Sequence, residues 1–266
     1  MQDKKRSLPH FNSHTGHRKL EHLREGSPPE PYVQDFLHQV TGERRRNEVR
    51  ILDMGCGRGD LVAWLCEQGW DAWGADPEET YLSSGKPLLG DRIRRIENGL
   101  PFVDSSFDVI LSSQVLEHVE DLSGFVGELA RVSKLGAEGL HIFPAPRQPV
   151  EGHMLVPFVH WLPKGRCRQY ALYPILASGL GASYFTEYTL SERVRIFSHF
   201  SDTDTYYRSW RMVEAEFEAK GFSCNSTMST ERKLRCRYPL LPRIAIRALT
   251  PLYLTFRGIY LRTRHV

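Results

Sequence analysis

Cysteine is scarce. Five occur in 266 residues, at positions 56, 66, 167, 224 and 236, and they form no CxxC pair and no zinc-ligand spacing. The odd total argues against a fully paired disulfide framework, so reduced thiols are expected, with no metal centre. Long apolar runs are missing too. No stretch of ~18 uncharged apolar residues exists, so no transmembrane helix is expected. The charged N-terminus has no apolar segment behind it, which argues against a signal peptide and for a cytoplasmic location. Nor is there a strong charge of one sign. The 35 Lys and Arg stand against 32 Asp and Glu, a formal +3, too little to argue for a nucleic-acid partner. Arg44-Arg45-Arg46 is a basic cluster, but Glu43 and Glu48 flank it and a solvated loop is the commoner outcome.

The chain is organised around Val49 to Asp76. A short apolar run, Val49, Ile51 and Leu52, leads into Gly55-Cys56-Gly57-Arg58-Gly59, after which Leu61, Val62, Leu65 and Cys66 repeat at helical spacing. This is strand, glycine turn, helix. A second apolar piece, 71–75, ends on Asp76 at the distance of a right-handed βαβ crossover. Glycines let the backbone approach a ligand, and a carboxylate closing the second strand can accept ribose hydroxyls. Dinucleotides and S-adenosylmethionine both fit that geometry. The third glycine of a dinucleotide GxGxxG turn would fall at position 60, where Asp60 stands and would repel a pyrophosphate. Asp53 adds an acid suited to an ammonium.

The segments ILDMGCGRGD, GADP and LPFVDSSFDVILSSQVLEHVED, in that order, resemble the class I S-adenosylmethionine-dependent methyltransferases of the small-molecule type. The resemblance covers about Val49 to Pro146. It implies S-adenosylmethionine as methyl donor and a Rossmann-like α/β fold: a doubly wound, mostly parallel, seven-stranded sheet with a cap insertion after the fifth strand. Donor contacts are expected at Asp53, Gly55, Cys56, Gly57, Gly59, Asp76 and Pro77, at Asn98-Gly99, and at Ser113-Gln114. In the family a polar side chain before the LPF-like segment binds adenine, and Glu97 and Asn98 are both candidates; ordinary loop polarity is the alternative. Cys56 also reads as a small core or loop residue. Arg58 could contact the donor carboxylate or only water.

Four parts are expected: an N-terminal arm and helix (1–48), the donor-binding core (49–146), a substrate cap (147–200) and a C-terminal part (201–266). Residues 1 to 30 are polar, with a break at Pro28-Pro29-Glu30-Pro31, and their first part reads as a mobile arm. Helices are expected near 32–39, 61–66, 77–82, 122–134, 170–176 and 206–220, the fourth capped by Gly136. Strands are expected at 92–96, 107–111 and 140–143, and from Phe222. The segment GHMLVPFVHWLPKG has prolines and no sustained period, and a loop of that length is usually functional. Residues 232 to 266 hold nine Lys and Arg and no acid. Their apolar stripe, from Leu240 to Leu252, either docks on the core with the arginines in water, the favoured reading, or makes peripheral contact with an anionic membrane through 240–260, at the inner membrane surface.

Methyl transfer to a hydroxyl needs a base during attack. His118, just past the fourth strand, and His153 and His160, in the cap, are the candidates, while His141 lies within a strand and reads as a core residue. His118 could equally only order its loop. Phe158 and Trp161 could stack on a ring. The GHMLVPFVHWLP segment more loosely resembles caps of methyltransferases of cell-surface glycan and lipid pathways, which with the basic tail implies a small-molecule hydroxyl acceptor on a sugar, glycolipid, lipid-linked intermediate or quinone-like ring. Competing readings are a catalytically silent partner subunit, a nicotinamide-dependent oxidoreductase, and an RNA or protein methyltransferase, the RNA form disfavoured by the absence of an Asn-Pro-Pro-Tyr-like segment.

Overall fold

The computed structural model describes residues 23–266. Its centre is a seven-stranded sheet in the order β3-β2-β1-β4-β5-β7-β6. The strands are β1 Arg50–Met54, β2 Asp71–Asp76, β3 Ile93–Arg95, β4 Phe107–Ser113, β5 Ser133–Pro144, β6 Phe222–Asn225 and β7 Gly258–His265. The first five pair in parallel, and β7 runs antiparallel to both β5 and β6. This is the doubly wound, mostly parallel α/β sheet expected. β1, β2 and β4 each feed a helix that must fold back over an apolar face, which is why Ile51, Leu52, Val109 and Ile110 are buried on either side.

The helices are α1 Pro31–Thr41, α2 Asp60–Glu67, α3 Glu79–Leu89, α4 Leu122–Val132, α5 Arg166–Ala177, α6 Leu190–Thr203, α7 Trp210–Ala219, α8 Ser226–Arg237 and α9 Arg243–Phe256. Two apolar clusters flank the sheet, one with Phe36, Val62 and Leu65, the other with Phe107, Leu129 and Phe217. A third holds the region after β5 together: Met154, Val156, Val159, Leu172, Phe197 and Phe200 pack with one another. The segment that carries no periodicity in sequence thus has a core of its own.

Several local expectations are corrected. Gly136 does not cap α4; Ser133 does, and Gly136 lies inside β5 at φ +82°, where the β4–β5 register slips. The expected arm, the first part of 1–30, lies outside the described residues, and 23–30 is docked. Leu23 is buried with its amide on Ser84 O at 2.9 Å, and a Cβ on Gly26 would stand 2.0 Å from the Trp64 backbone. Helix α6 starts at a capping box, in which Thr189 and Glu192 bond each other's main-chain amides. Helix α8 has few apolar residues, but Asn225 caps it and Leu234 anchors it. It and α9 fill the connection between β6 and β7.

The stripe on α9 divides. Ile246, Thr250 and Leu254 dock on the core, whereas Leu240 is 97% and Ile244 80% exposed, with Leu249 and Leu252 also open to solvent. Docking alone therefore does not account for it. The basic loop behaves as a local brace: Arg44 pairs with Asp108, Arg45 with Glu48, and Arg46 reaches Gln68 O and lies over Trp70. No described helix is long and apolar enough to cross a membrane.

Candidate active site

The carboxyl ends of β1, β2 and β4 meet at the glycine turn. Gly55, Gly57 and Gly59 all have positive φ, at +76°, +56° and +90°. The outer two are packed: a Cβ on Gly55 would stand 2.3 Å from Val115 Cγ2, and one on Gly59 2.4 Å from Leu89 Cδ1. Around Gly57 there is open space, so its main chain is what a ligand would meet. The Gly57 amide donates to Asp76 Oδ2 and the Glu78 amide to Asp76 Oδ1, each at 2.8 Å. Each carboxylate oxygen keeps further lone-pair capacity for a hydroxyl.

Asp53 and Asp76 are both buried, and among the described residues neither makes an ion pair with a cation. Burial first, and then the charges of Asp76 and Asp60, push the Asp53 carboxyl up to about 7; burial raises Asp76 as well. A cleft walled by two unneutralised acids is built for a cationic ligand, which fits the ammonium and sulfonium of S-adenosylmethionine and opposes a pyrophosphate. Asp60 supports this less than its position in the sequence suggests. Arg58 clamps it bidentately, Nε to Oδ2 at 2.7 Å and Nη2 to Oδ1 at 2.8 Å. That pairing neutralises the acid and engages Arg58 away from a donor carboxylate.

The other expected donor contacts divide. The Cys56 side chain turns inward, since a Cβ on Gly74 would lie 2.6 Å from its Sγ, and burial holds the thiol well above its usual range; only its main chain can serve the cleft. Pro77 is exposed beside Asp76. Gln114 sits at φ +57° with its amide on Ile142 O, and the exposed Ser113 precedes it, so the end of β4 lies against the glycine turn through Val115. Asn98 and Gly99 instead line an open depression with Glu128 and Arg131, linked to the cleft through the Ile96 amide on Asp76 O at 3.0 Å.

Beyond β4 the cap meets the core at a histidine pair. His118 Nε2 and His153 Nε2 are 3.2 Å apart. His118 Nδ1 faces Asp204 O at 2.7 Å, and His153 Nδ1 faces Glu151 Oε1 at 2.8 Å. Tyr207 donates its hydroxyl to the same Glu151 oxygen, and the Met154 amide donates to Oε2 at 2.6 Å. Burial alone would raise Glu151, but its bonds to His153 and Tyr207 outweigh it and bring the carboxyl down to about 2. Burial lowers His118, so its ring is neutral near pH 7; for His153 burial is outweighed by Glu151 and the pKa rises. Glu117, also buried, has both oxygens without a hydrogen-bond partner, and burial pushes it up to about 7.

His160 is not part of this pair. Its ring packs on Tyr207 at 5.0 Å and lines a separate cleft of about 240 Å³ with Lys164, Arg168 and Arg208. His141 is a core residue as expected, bonded to Ser112 Oγ at 2.8 Å and Thr263 Oγ1 at 3.3 Å, with burial bringing it down to about 3. Glu117, Glu151 and Tyr207 are the residues the sequence leaves unmarked. The one signal was the E-x-H spacing of Glu151 and His153, which sets a carboxylate beside an imidazole; nothing local pairs either with position 118.

The methyltransferase-domain family matches residues 52–140. An uncharacterized methyltransferase of Mycobacterium sp. (strain KMS) is 33% identical over 119 residues, 44% of this chain and 47% of that protein. A ubiquinone biosynthesis O-methyltransferase of Sinorhizobium medicae (strain WSM419) is 29% identical over 172 residues, 56% of this chain and 68% of that protein. The chain spans about half the length of the mycobacterial relatives it matches. In structure it is similar to an S-adenosylmethionine-dependent methyltransferase of Mesorhizobium loti, with a TM-score of 0.52 at 17% identity, covering 88% of this chain and 98% of that one. The sheet order, the three-glycine turn closing on Asp76 and the methyltransferase-domain match over residues 52–140 give this chain a methyltransferase domain of the class I S-adenosylmethionine-dependent fold.

Proposed function

We propose that this protein transfers a methyl group from S-adenosylmethionine to a hydroxyl of a small, membrane-associated acceptor, a glycolipid, sugar or quinone-like ring. The observation that carries the donor half is the pair of buried acids, Asp53 and Asp76, around the open face of Gly57. When bound, S-adenosylmethionine supplies an electrophilic methyl on a positively charged sulfur. Asp53 would pair with its ammonium, Asp76 would accept from the ribose hydroxyls, and the turn at Ser113-Gln114 would wall the cleft. Positioning of this kind accounts for much of the rate in a displacement of an already reactive group, up to ~7–11 kcal/mol.

The acceptor half rests on the histidine pair. Burial keeps His118 neutral, its Nδ1 proton is fixed on Asp204 O and its Nε2 faces His153 Nε2, so the two rings together would take the hydroxyl proton. Glu151 orients His153 beside it. The exposed Phe158 and Trp161, with ring centroids 4.9 Å apart, offer a surface for a ring. The bare aliphatic residues of α9 beside Arg243 and Arg247 suit an anionic lipid surface, where such an acceptor would reside. The ubiquinone-pathway relative supports a hydroxyl on a ring as one acceptor class. Incubating the protein with methyl-labelled donor and a membrane extract, then finding label in a lipid-soluble O-methyl product by mass spectrometry, tests the reading. Label found in RNA or protein alone would overturn it.

A further inference from the structure

We propose that Glu117, His118 and His153 form a binding site for one divalent transition-metal cation of the zinc or iron(II) class. It deepens the reading of this centre as the place where the acceptor hydroxyl loses its proton, and rests on that reading for its role though not for its existence.

The argument begins with proton positions. Asp204 O is a carbonyl and Glu151 Oε1 a carboxylate oxygen, so neither can donate, and both Nδ1 atoms must. In neutral rings, both Nε2 atoms then carry lone pairs, and these face each other at 3.2 Å. Two lone pairs at that distance repel unless a positive centre is shared between them, either a proton on His153 or a metal cation in its place. Next to them stands the Glu117 carboxyl, buried, with neither oxygen hydrogen-bonded. A buried, unpaired carboxylate is costly, and a bound cation relieves that cost as a proton does.

The geometry suits a metal. One ligand atom from each of the three residues lies within 4.8 Å of the others. Two nitrogens each ~2.1 Å from a tetrahedral zinc stand ~3.4 Å apart, close to the spacing present. Two imidazoles and one carboxylate, with coordination positions left over, is a donor set for zinc or iron(II) rather than magnesium or calcium. Each ring's other nitrogen is held by an oxygen acceptor, the outer arrangement that orients metal-bound histidines. The two rings come from opposite sides, His118 from the loop after β4 and His153 from the cap, so a bound cation would also fasten the cap to the core. An acceptor hydroxyl on the open coordination position would have its pKa lowered and its proton would leave to water, so in the metal-bound chain the cation would take the place of the His118 lone pair, which it occupies.

The full chain, stripped with chelator, is titrated with cobalt(II) and followed by its visible absorption, and with zinc by calorimetry. The expected result is one ion per chain. His153→Ala should weaken binding by at least 100-fold and Glu117→Gln by at least 10-fold. Glu117→Gln keeps the shape and removes a buried charge, so it is expected to fold; thermal unfolding checks this. Failure of wild type to bind either ion below millimolar concentration, or equal binding by folded Glu117→Gln, overturns the site. Donor binding, measured on the same stripped samples, is independent of it: loss of the donor with metal binding intact would sink the methyltransferase reading alone, and the reverse would sink the metal site alone.

Discussion

The main-chain amide of Gly57 donates to Asp76 Oδ2 at 2.8 Å, so the tip of the glycine turn and the end of β2 are held as one unit. That bond fixes the backbone against which a nucleoside would lie, and Gly57 itself holds φ +56° with open space beyond its Cα. Gly57→Val therefore does two separate things. It strains the turn by ~1–2 kcal/mol, and it projects a branched side chain into the cleft. Donor affinity, measured by calorimetry, should fall by at least ~100-fold while the folded state persists.

Asp53 makes donor binding depend on pH. Its carboxyl is raised to about 7 by burial and by the neighbouring acids, so below that pH it is protonated and must lose a proton to pair with an ammonium. Affinity should rise with pH up to about 7 and then level off, and Asp53→Asn should flatten the profile. Stability of the unliganded chain runs the other way. Between 3.8 and about 7 the folded chain keeps a proton on Asp53 that the unfolded chain gives up, so this contribution is present at lower pH and is lost as pH rises through 7. Thermal unfolding across the window should show it, and Asp53→Asn should remove it.

Glu151 is a positioning residue. It holds His153 and Tyr207 through one oxygen and the Met154 amide through the other. Glu151→Gln keeps the shape but lets the His153 ring choose its tautomer. Turnover should drop by ~10²-fold or more, with donor affinity unchanged. Equal turnover would mean that the pair does not take part in the chemistry.

The α9 face is tested by charge. Ile244→Glu together with Leu252→Glu should abolish sedimentation with phosphatidylglycerol vesicles and leave thermal stability within ~0.5 kcal/mol, because both residues are exposed. Vesicle binding that survives both changes would remove the membrane from the account.

How much of this was legible in the sequence depends on the range of the interaction. The β1-turn-α2-β2 unit is written locally, since apolar runs, glycines and Asp76 follow one another, and crossover handedness then sets the side of the sheet on which α2 packs. Helix α8 was not legible, because its stability comes from a cap at Asn225 and a few buried contacts rather than from an apolar period. The docking of 23–30 was hidden for the opposite reason, a polar stretch held by main-chain bonds to α2 and α3. At the site, His118 and His153 could each be named, but their meeting could not, since 35 residues, with α4 and β5 among them, separate the two. Arg58 and Asp60 show the converse: two positions apart, they pair with each other, and neither plays the part its charge alone suggested.

The central claim is that two buried acids around Gly57 select a cationic nucleoside over a phosphate-linked one. Calorimetric titration of the full chain at pH 8 with S-adenosylmethionine, and separately with NAD, measures that choice directly. Binding of one S-adenosylmethionine per chain with no heat from NAD is the predicted result. Tight NAD binding without a response to S-adenosylmethionine would contradict it.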